Sequence, residues 1–208
     1  MSRVSPLPES EASDKAAQTY GRIKDMLGAE AVPPVFLAMG RVPAYLSDFY
    51  MNYKKFVHGD GAIPAKSRIA IALAVALKEG ATEWVDYFLS LPAASELGDN
   101  AVAEINAIVA TNATYNTFFK FRRLSGSDLF EGMPVGLRAH TFHSVSFDDT
   151  LVELLSTAIS NLNSCEPCVS GHVKKSRSLG ISDEALLETI QCAAVVYSGI
   201  QFCRGANC

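Results

Sequence analysis

Cys165, Cys168 and His172 lie three and four residues apart, and on a helix residues at those intervals share one face. Two thiols would meet in the first turn of such a helix, with an imidazole one turn further along. The partial positive charge at a helix N-terminus favours a thiolate, and Cys-x-x-Cys thiols at such ends have depressed pKa values. His172 is within reach of the Cys168 proton, directly or through one water. An activated nucleophile also needs a group that orients its base, and Glu153, on the preceding segment, is the candidate. These four residues read as a redox-active dithiol site.

Other chemistries compete for the same side chains. Zinc would take the two thiolates and the imidazole, with Glu153 or an exogenous group as fourth ligand. A structural zinc site would draw a second ligand pair from Cys192 or Cys203. Haem attachment needs a histidine directly after the second cysteine, whereas three residues separate Cys168 from His172. A thioredoxin-like motif belongs in a βαβ setting, and none is visible. A buried, inert cysteine pair beside an incidental histidine is the plain structural alternative.

The elements that must position this site read as helices throughout. Helical spacing predicts a segment over 14–27, with Ser13 as cap and Gly28 as stop, and others over 43–57, 65–78 and 101–123. Pro33 and Pro34 open a short segment, and Thr82 caps a helix over 83–91 that Pro92 ends. The Gly- and Pro-containing stretch 124–145 reads as a linker. Asp148 or Asp149 then caps a helix to Leu162, a second starts within 165–167 and stops at Gly180, and Ser182 caps the last. No segment alternates as a strand would, so the expected fold is all-α. The chain is expected to be one domain over 1–208, with an N-terminal half, 1–124, and a C-terminal half, 146–208, that carries the Cys-x-x-Cys site.

Residues 64–91 and 147–175 both read as helix, turn, helix, which suggests an internal repeat. The register that places Arg68 against Glu153 places Gly80 against Cys165, Glu83 against Cys168 and Tyr87 against His172. The first copy thus keeps the pattern without the chemistry. The segment 65–77 is apolar almost all round, which calls for a bundle centre or a subunit interface.

Composition narrows the function classes. Apolar residues make up 49% of the 208 and the net charge is −4, the opposite of a nucleic-acid footprint. No Lys/Arg run addresses an anionic membrane. The longest unbroken apolar run, 69–77, falls far short of the ~20 residues of a membrane helix. Residues 1–15 lack the apolar core of a secretory signal, so a cytoplasmic location is expected. Thiols there stay reduced unless they turn over, and five cysteines in that setting point to redox or metal use. His140 and His143 are expected to be solvated or packed rather than ligands. Tyr115, Phe118, Phe119 and Phe121 are expected to pack, with an apolar substrate channel as the sharper alternative. Cys192 reads as a core thiol, and Cys203 and Cys208 as exposed.

The segment Glu153…Asn163-Ser-Cys165-Glu-Pro-Cys168-Val-Ser-Gly-His172…Leu179-Gly180 resembles the alkylhydroperoxidase D-like, or carboxymuconolactone decarboxylase-like, superfamily. Its redox branch carries Glu, eleven residues, Cys-x-x-Cys, three residues and His, and all four positions match. The resemblance is clear over 147–197 and looser over the rest. It implies an all-helical bundle with a repeated helical unit, in homo-oligomers, often trimers or larger, hexamers included. It implies Cys168 as the peroxide-attacking thiol, Cys165 as the resolving thiol, His172 and Glu153 as proton relay, and no bound cofactor. Re-reduction would come from a dihydrolipoyl group, with a peroxiredoxin as a further redox partner. Some members place a second relay histidine before the second cysteine, where this chain has Pro167. Glu166 beside it would raise a nearby thiol's pKa. The superfamily's lactone decarboxylases generally lack the cysteine pair, so its presence favours redox work. Within redox chemistry, a protein-thiol oxidoreductase or redox-switched chaperone is the alternative to a peroxidase.

Overall fold

The computed structural model describes residues 3–206. Its α-helices are α1 (Asp14–Leu27), α2 (Pro34–Leu37), α3 (Pro43–Tyr53), α4 (Ala65–Glu79), α5 (Thr82–Leu89), α6 (Ala101–Leu124), α7 (Asp149–Leu162), α8 (Glu166–Ser178) and α9 (Asp183–Ala206). Short 3₁₀ turns join several of them, and no strand occurs among the described residues. The all-α expectation holds.

Helix boundaries follow local chemistry. Gly28 ends α1 in the left-handed conformation at φ 61°, a region glycine enters without steric cost. Prolines open α2 and α3, where a missing N–H costs nothing. The Asp148 carboxylate accepts from Leu151 N at 2.8 Å, and Ser182 Oγ accepts from Ala185 N at 3.1 Å; both caps were legible in the sequence. Three details differ from expectation. The segment 43–57 changes from α to a π turn over Lys54–His58. Thr82 is the first residue of α5 and makes no capping bond. The presumed linker contains 3₁₀ turns at Asp128–Phe130 and His140–His143 and is tied down by hydrogen bonds from Tyr115 to Leu137 O and from Arg122 to Met133 O.

Every residue of α4 from Ser67 to Ala76 is buried. Alanine at alternate positions keeps this helix thin, so α5, α6, α7 and α9 all pack against it. It forms the bundle centre. A close approach of α9 depends on Gly199, where a Cβ would sit 2.7 Å from Trp84 Cη2 and 2.8 Å from Phe49 Cζ. α9 departs from the expectation about membrane-length segments: an 18-residue window reaches a mean hydropathy of 1.3, with half of it buried inside the protein. Its small and hydroxyl residues interrupt any unbroken apolar run, and its apolar side chains pack against α3, α4 and α7.

The contacts have the form of a repeat. α4–α5 and α7–α8 are each followed by a 24-residue helix, α6 and α9. These long helices are exchanged: α9 packs on α4 and α6 packs on α7. Both copies bury one ion on their first helix. Arg68 on α4 is 1% exposed and bonds Glu188 of α9, with Nε to Oε1 at 2.8 Å. Its guanidinium also bonds Gly59 O.

Between α6 and α7 runs a buried polar ladder. Asn112 Nδ2 donates to Ser156 Oγ at 3.1 Å, and Ser160 Oγ donates to Asn112 Oδ1 at 3.3 Å. Asn116 Nδ2 donates to Ser160 Oγ at 2.9 Å, and Asn163 Nδ2 closes the ladder on Asn116 Oδ1 at 2.8 Å. Each rung satisfies groups that would otherwise be stranded without water, and the last rung fixes the turn that leads into Cys165.

Removing one partner of a buried ion pair costs about 3–5 kcal/mol, because the other charge is left unanswered. Arg68→Met should therefore lower the unfolding free energy in a denaturant titration by about that amount, and adding Glu188→Met should recover most of it. A loss below about 1 kcal/mol in the single variant would contradict this account of the α4–α9 contact.

Candidate active site

α7 ends at Leu162, and Ser164 turns the chain at φ 54°. Cys165 N then bonds back to Ser160 O at 3.1 Å, so Cys165 becomes the N-cap of α8. Pro167 sits in the first turn of α8, where a backbone donor is dispensable. Cys168 follows one turn from the cap, at the positive end of the helix. Cys165 and Cys168 are joined as a disulfide, with their Cα atoms 5.3 Å apart. The two sulfurs differ in access: Cys165 is 0% exposed, whereas Cys168 is half-buried on a cavity wall.

Glu153 reaches this helix from the middle of α7. Its carboxylate is 4% exposed and each oxygen meets one nitrogen donor of α8. His172 Nδ1 is 2.8 Å from Oε2 and Lys175 Nζ is 2.7 Å from Oε1. A carboxylate only accepts, so Nδ1–H donates and Nε2 of the neutral ring carries the lone pair. Burial pushes the Glu153 carboxyl up, but the bonds from His172 and Lys175 and their charges outweigh it and hold the acid below its ordinary range. The group stays an anion where an isolated carboxyl would resist ionising.

A cavity of about 360 Å³ opens over these groups. Tyr115, Phe119, Phe142 and Pro167 form its apolar walls, with Cys168, His172, Glu153 and Lys175 facing it and Asn112 at its inner end. The expected aromatic cluster therefore divides. Tyr115 and Phe119 face the cavity, as the channel reading requires, while Phe118 carries the Arg122 guanidinium 4.7 Å from its ring and Phe121 packs on Phe130. The first copy has a cavity in the same register: Glu83, Asp86, Tyr87 and Ser90 line it where the second has Cys168, Gly171, His172 and Lys175. There Tyr87 is occupied by a 2.9 Å bond to Tyr53, and burial pushes its hydroxyl up.

Several other residues fall differently from expectation. Glu166 is paired with Arg123 at 2.8 Å, which offsets the charge expected to oppose a thiolate. Cys203 is buried rather than exposed, its Sγ 3.7 Å from Val35 O, because the end of α9 folds under α2. Cys208 lies outside the described residues. Cys192 is a core thiol against Arg68 O, and burial pushes it up to about 12. Neither buried cysteine is placed to complete a zinc site with Cys165 and Cys168, and no three His, Cys, Asp or Glu side chains gather as ligands among the described residues. His140 and His143 are exposed.

Sequence reasoning missed Lys175, Phe142 and the ladder. Asn112/Asn116 and Ser156/Ser160 are each spaced by four within apolar helices, a signal that could have been read. Lys175 stands three beyond His172 and so on its face. Phe142 carried no signal, being in an irregular segment.

The comparisons with known proteins can be set against this geometry. The model of the carboxymuconolactone decarboxylase family matches residues 129–202. An alkyl hydroperoxide reductase AhpD from Acidobacterium capsulatum is 24% identical over 165 residues, spanning 79% of this chain and 90% of that protein. The AhpD of Solibacter usitatus is 31% identical over 105 residues, half of this chain and 59% of its own length. Among solved structures, the AhpD core of a peroxidase-related protein from Ralstonia eutropha superposes with a TM-score of 0.59 at 15% identity, covering 99% of this chain and 90% of that one; this likeness concerns the fold. With the helical bundle and the Glu–Cys–Cys–His pattern, these matches support the alkylhydroperoxidase D-like, carboxymuconolactone decarboxylase superfamily, the family model's match lying over the second helical unit and its thiol site.

Proposed function

We propose that this protein is a thiol-dependent peroxidase that reduces organic hydroperoxides and is re-reduced by an external dithiol. One observation carries the reading: a cavity-facing Cys168 is bonded to a buried Cys165, beside a histidine held by a buried carboxylate. Relatives named alkyl hydroperoxide reductase support the class of reaction.

In the reduced protein His172 Nε2 takes the Cys168 proton, and Glu153 stabilises the resulting imidazolium. The thiolate attacks the terminal peroxide oxygen; an S–O bond forms, the O–O bond breaks, and the alkoxide leaves as alcohol with the proton from His172. Cys168 is now a sulfenic acid. Cys165 displaces its hydroxyl as water and forms the disulfide. A dithiol then returns two electrons and two protons by exchange, attacking first at the accessible Cys168 sulfur. The net change is hydroperoxide plus dithiol to alcohol, water and the dithiol's disulfide.

The cavity, about 360 Å³, is an order of magnitude above one water's share of ~30 Å³, so it suits a hydroperoxide with an alkyl or aryl body. It also suits the tip of a dihydrolipoyl arm, the reductant proposed here, with a peroxiredoxin as a further redox partner. We place this cycle in a homo-oligomer, trimer or hexamer, in the cytoplasm, where reductant for the disulfide is at hand.

Cumene hydroperoxide consumption with dihydrolipoamide should be lost in Cys168→Ser, and His172→Gln should slow it about 10²–10⁴-fold, the usual worth of a positioned base. Equal rates in both variants and wild type would end the peroxidase reading. Glu153 supplies a pH signature. A carboxyl held low in the folded state stabilises it at neutral pH, and that contribution is lost as pH falls through and below the ordinary carboxylate range, roughly pH 4. The Tm advantage of wild type over Glu153→Gln should be full at pH 7 and shrink towards pH 3; a constant gap would show that Glu153 is not a buried anion.

A further inference from the structure

We propose that Lys175 is a positioning residue of the thiol site, gripping the same carboxylate that holds His172 and setting how much of its charge reaches the imidazole. This rests on the peroxidase reading and goes beyond it, because the Glu–Cys–Cys–His pattern contains no lysine.

Glu153 has two oxygens and two donors on α8, the Lys175 ammonium at 2.7 Å and the His172 ring at 2.8 Å, and at 4% exposure it has almost no water to share its charge. Lys175 lies on the His172 face of α8, three residues on, and lines the same cavity as Cys168. The other charged and titratable groups near the cavity have partners or point away from it. α7 contributes Glu153. α6 contributes Tyr115, bonded to Leu137 O, and Arg123, taken by Glu166. The 140–143 turn keeps His140 and His143 exposed and turns Phe142 inward. Asp183 at the start of α9 is held by Arg177. Among the described residues that line the cavity, Lys175 therefore carries the only permanent positive charge.

Two consequences follow from Coulomb's law. With Lys175 in place the carboxylate's charge is shared between the ammonium and the imidazole. Without Lys175 the cavity loses its fixed positive charge, which disfavours the anions that face it, the Cys168 thiolate included. A lysine whose role is only to pack would lower stability without moving any titration.

The test is the rate of iodoacetamide alkylation of Cys168 in the reduced protein between pH 5 and 9, mapped by mass spectrometry, together with the pH profile of peroxide kcat/KM. Wild type is compared with Lys175→Met, Lys175→Gln, Lys175→Arg and, as a control, the exposed neighbour Lys174→Met. In Lys175→Met and Lys175→Gln the alkylation midpoint and the acid limb should move up by a few tenths of a pH unit, less than the usual 1–3 for a charge within about 4–6 Å, because Lys175 stands two helical turns from Cys168 and is partly exposed. Lys175→Arg should keep the wild-type profile, as should Lys174→Met. Should one neutral variant fail to fold, the other decides. Profiles that coincide with wild type in a folded neutral variant, or an equal shift in Lys174→Met, would overturn the proposal. The alkylation readout needs no turnover, so a wild type inert to peroxide would remove the peroxidase reading while Lys175 is still judged.

Discussion

A carboxylate withdrawn almost wholly from water must have its charge answered inside the protein. Glu153 is answered by one neighbouring helix alone, through His172 and Lys175. That requirement orients α8 on α7 and selects the tautomer of His172. It also places the first turn of α8, with both cysteines, at the head of the same face. Desolvation alone would neutralise such an acid. Because its partners include the base of the proposed reaction, the interaction that holds the helices together also prepares the chemistry.

Two features of the bundle keep that arrangement stiff. The Asn–Ser ladder pins α6 to α7 and ends on Asn163, so the turn before Cys165 is held from behind by hydrogen bonds rather than by packing alone. The thin, alanine-rich α4 lets both copies of the helical unit share one centre. Where α7 buries a carboxylate that looks towards its own hairpin partner, α4 buries a guanidinium that looks across to α9. The first copy has its charge spent on joining the halves and its cavity position filled by a tyrosine pair, whereas the second has its charge aimed at a reactive pair of thiols.

Much of this was legible in the residues. Capping by Ser182 and by one of Asp148 and Asp149, the Gly28 stop and the burial of α4 follow from local chemistry or helical spacing, and Glu153 was a candidate partner for His172 from the chemistry of an activated thiol. What was not legible depends on tertiary partners. The four-residue spacing of Asn112 and Asn116 gains its meaning only from Ser156 and Ser160, which lie on another element. Lys175 shares the His172 face of its helix, but only the structure shows the buried Glu153 oxygen that it bonds. The burial of Cys203 and the inward turn of Phe142 are set by how a tail and an irregular segment fold back, which periodicity does not encode.

The most direct measurement is a count of thiols in the reduced protein before and after one equivalent of cumene hydroperoxide, with the products mapped by peptide mass spectrometry. The account predicts the loss of two thiols per chain and a single new bond, between Cys165 and Cys168, with Cys192 and Cys203 unchanged. Retention of both active-site thiols, or oxidation that falls first on Cys192 or Cys203, would contradict it.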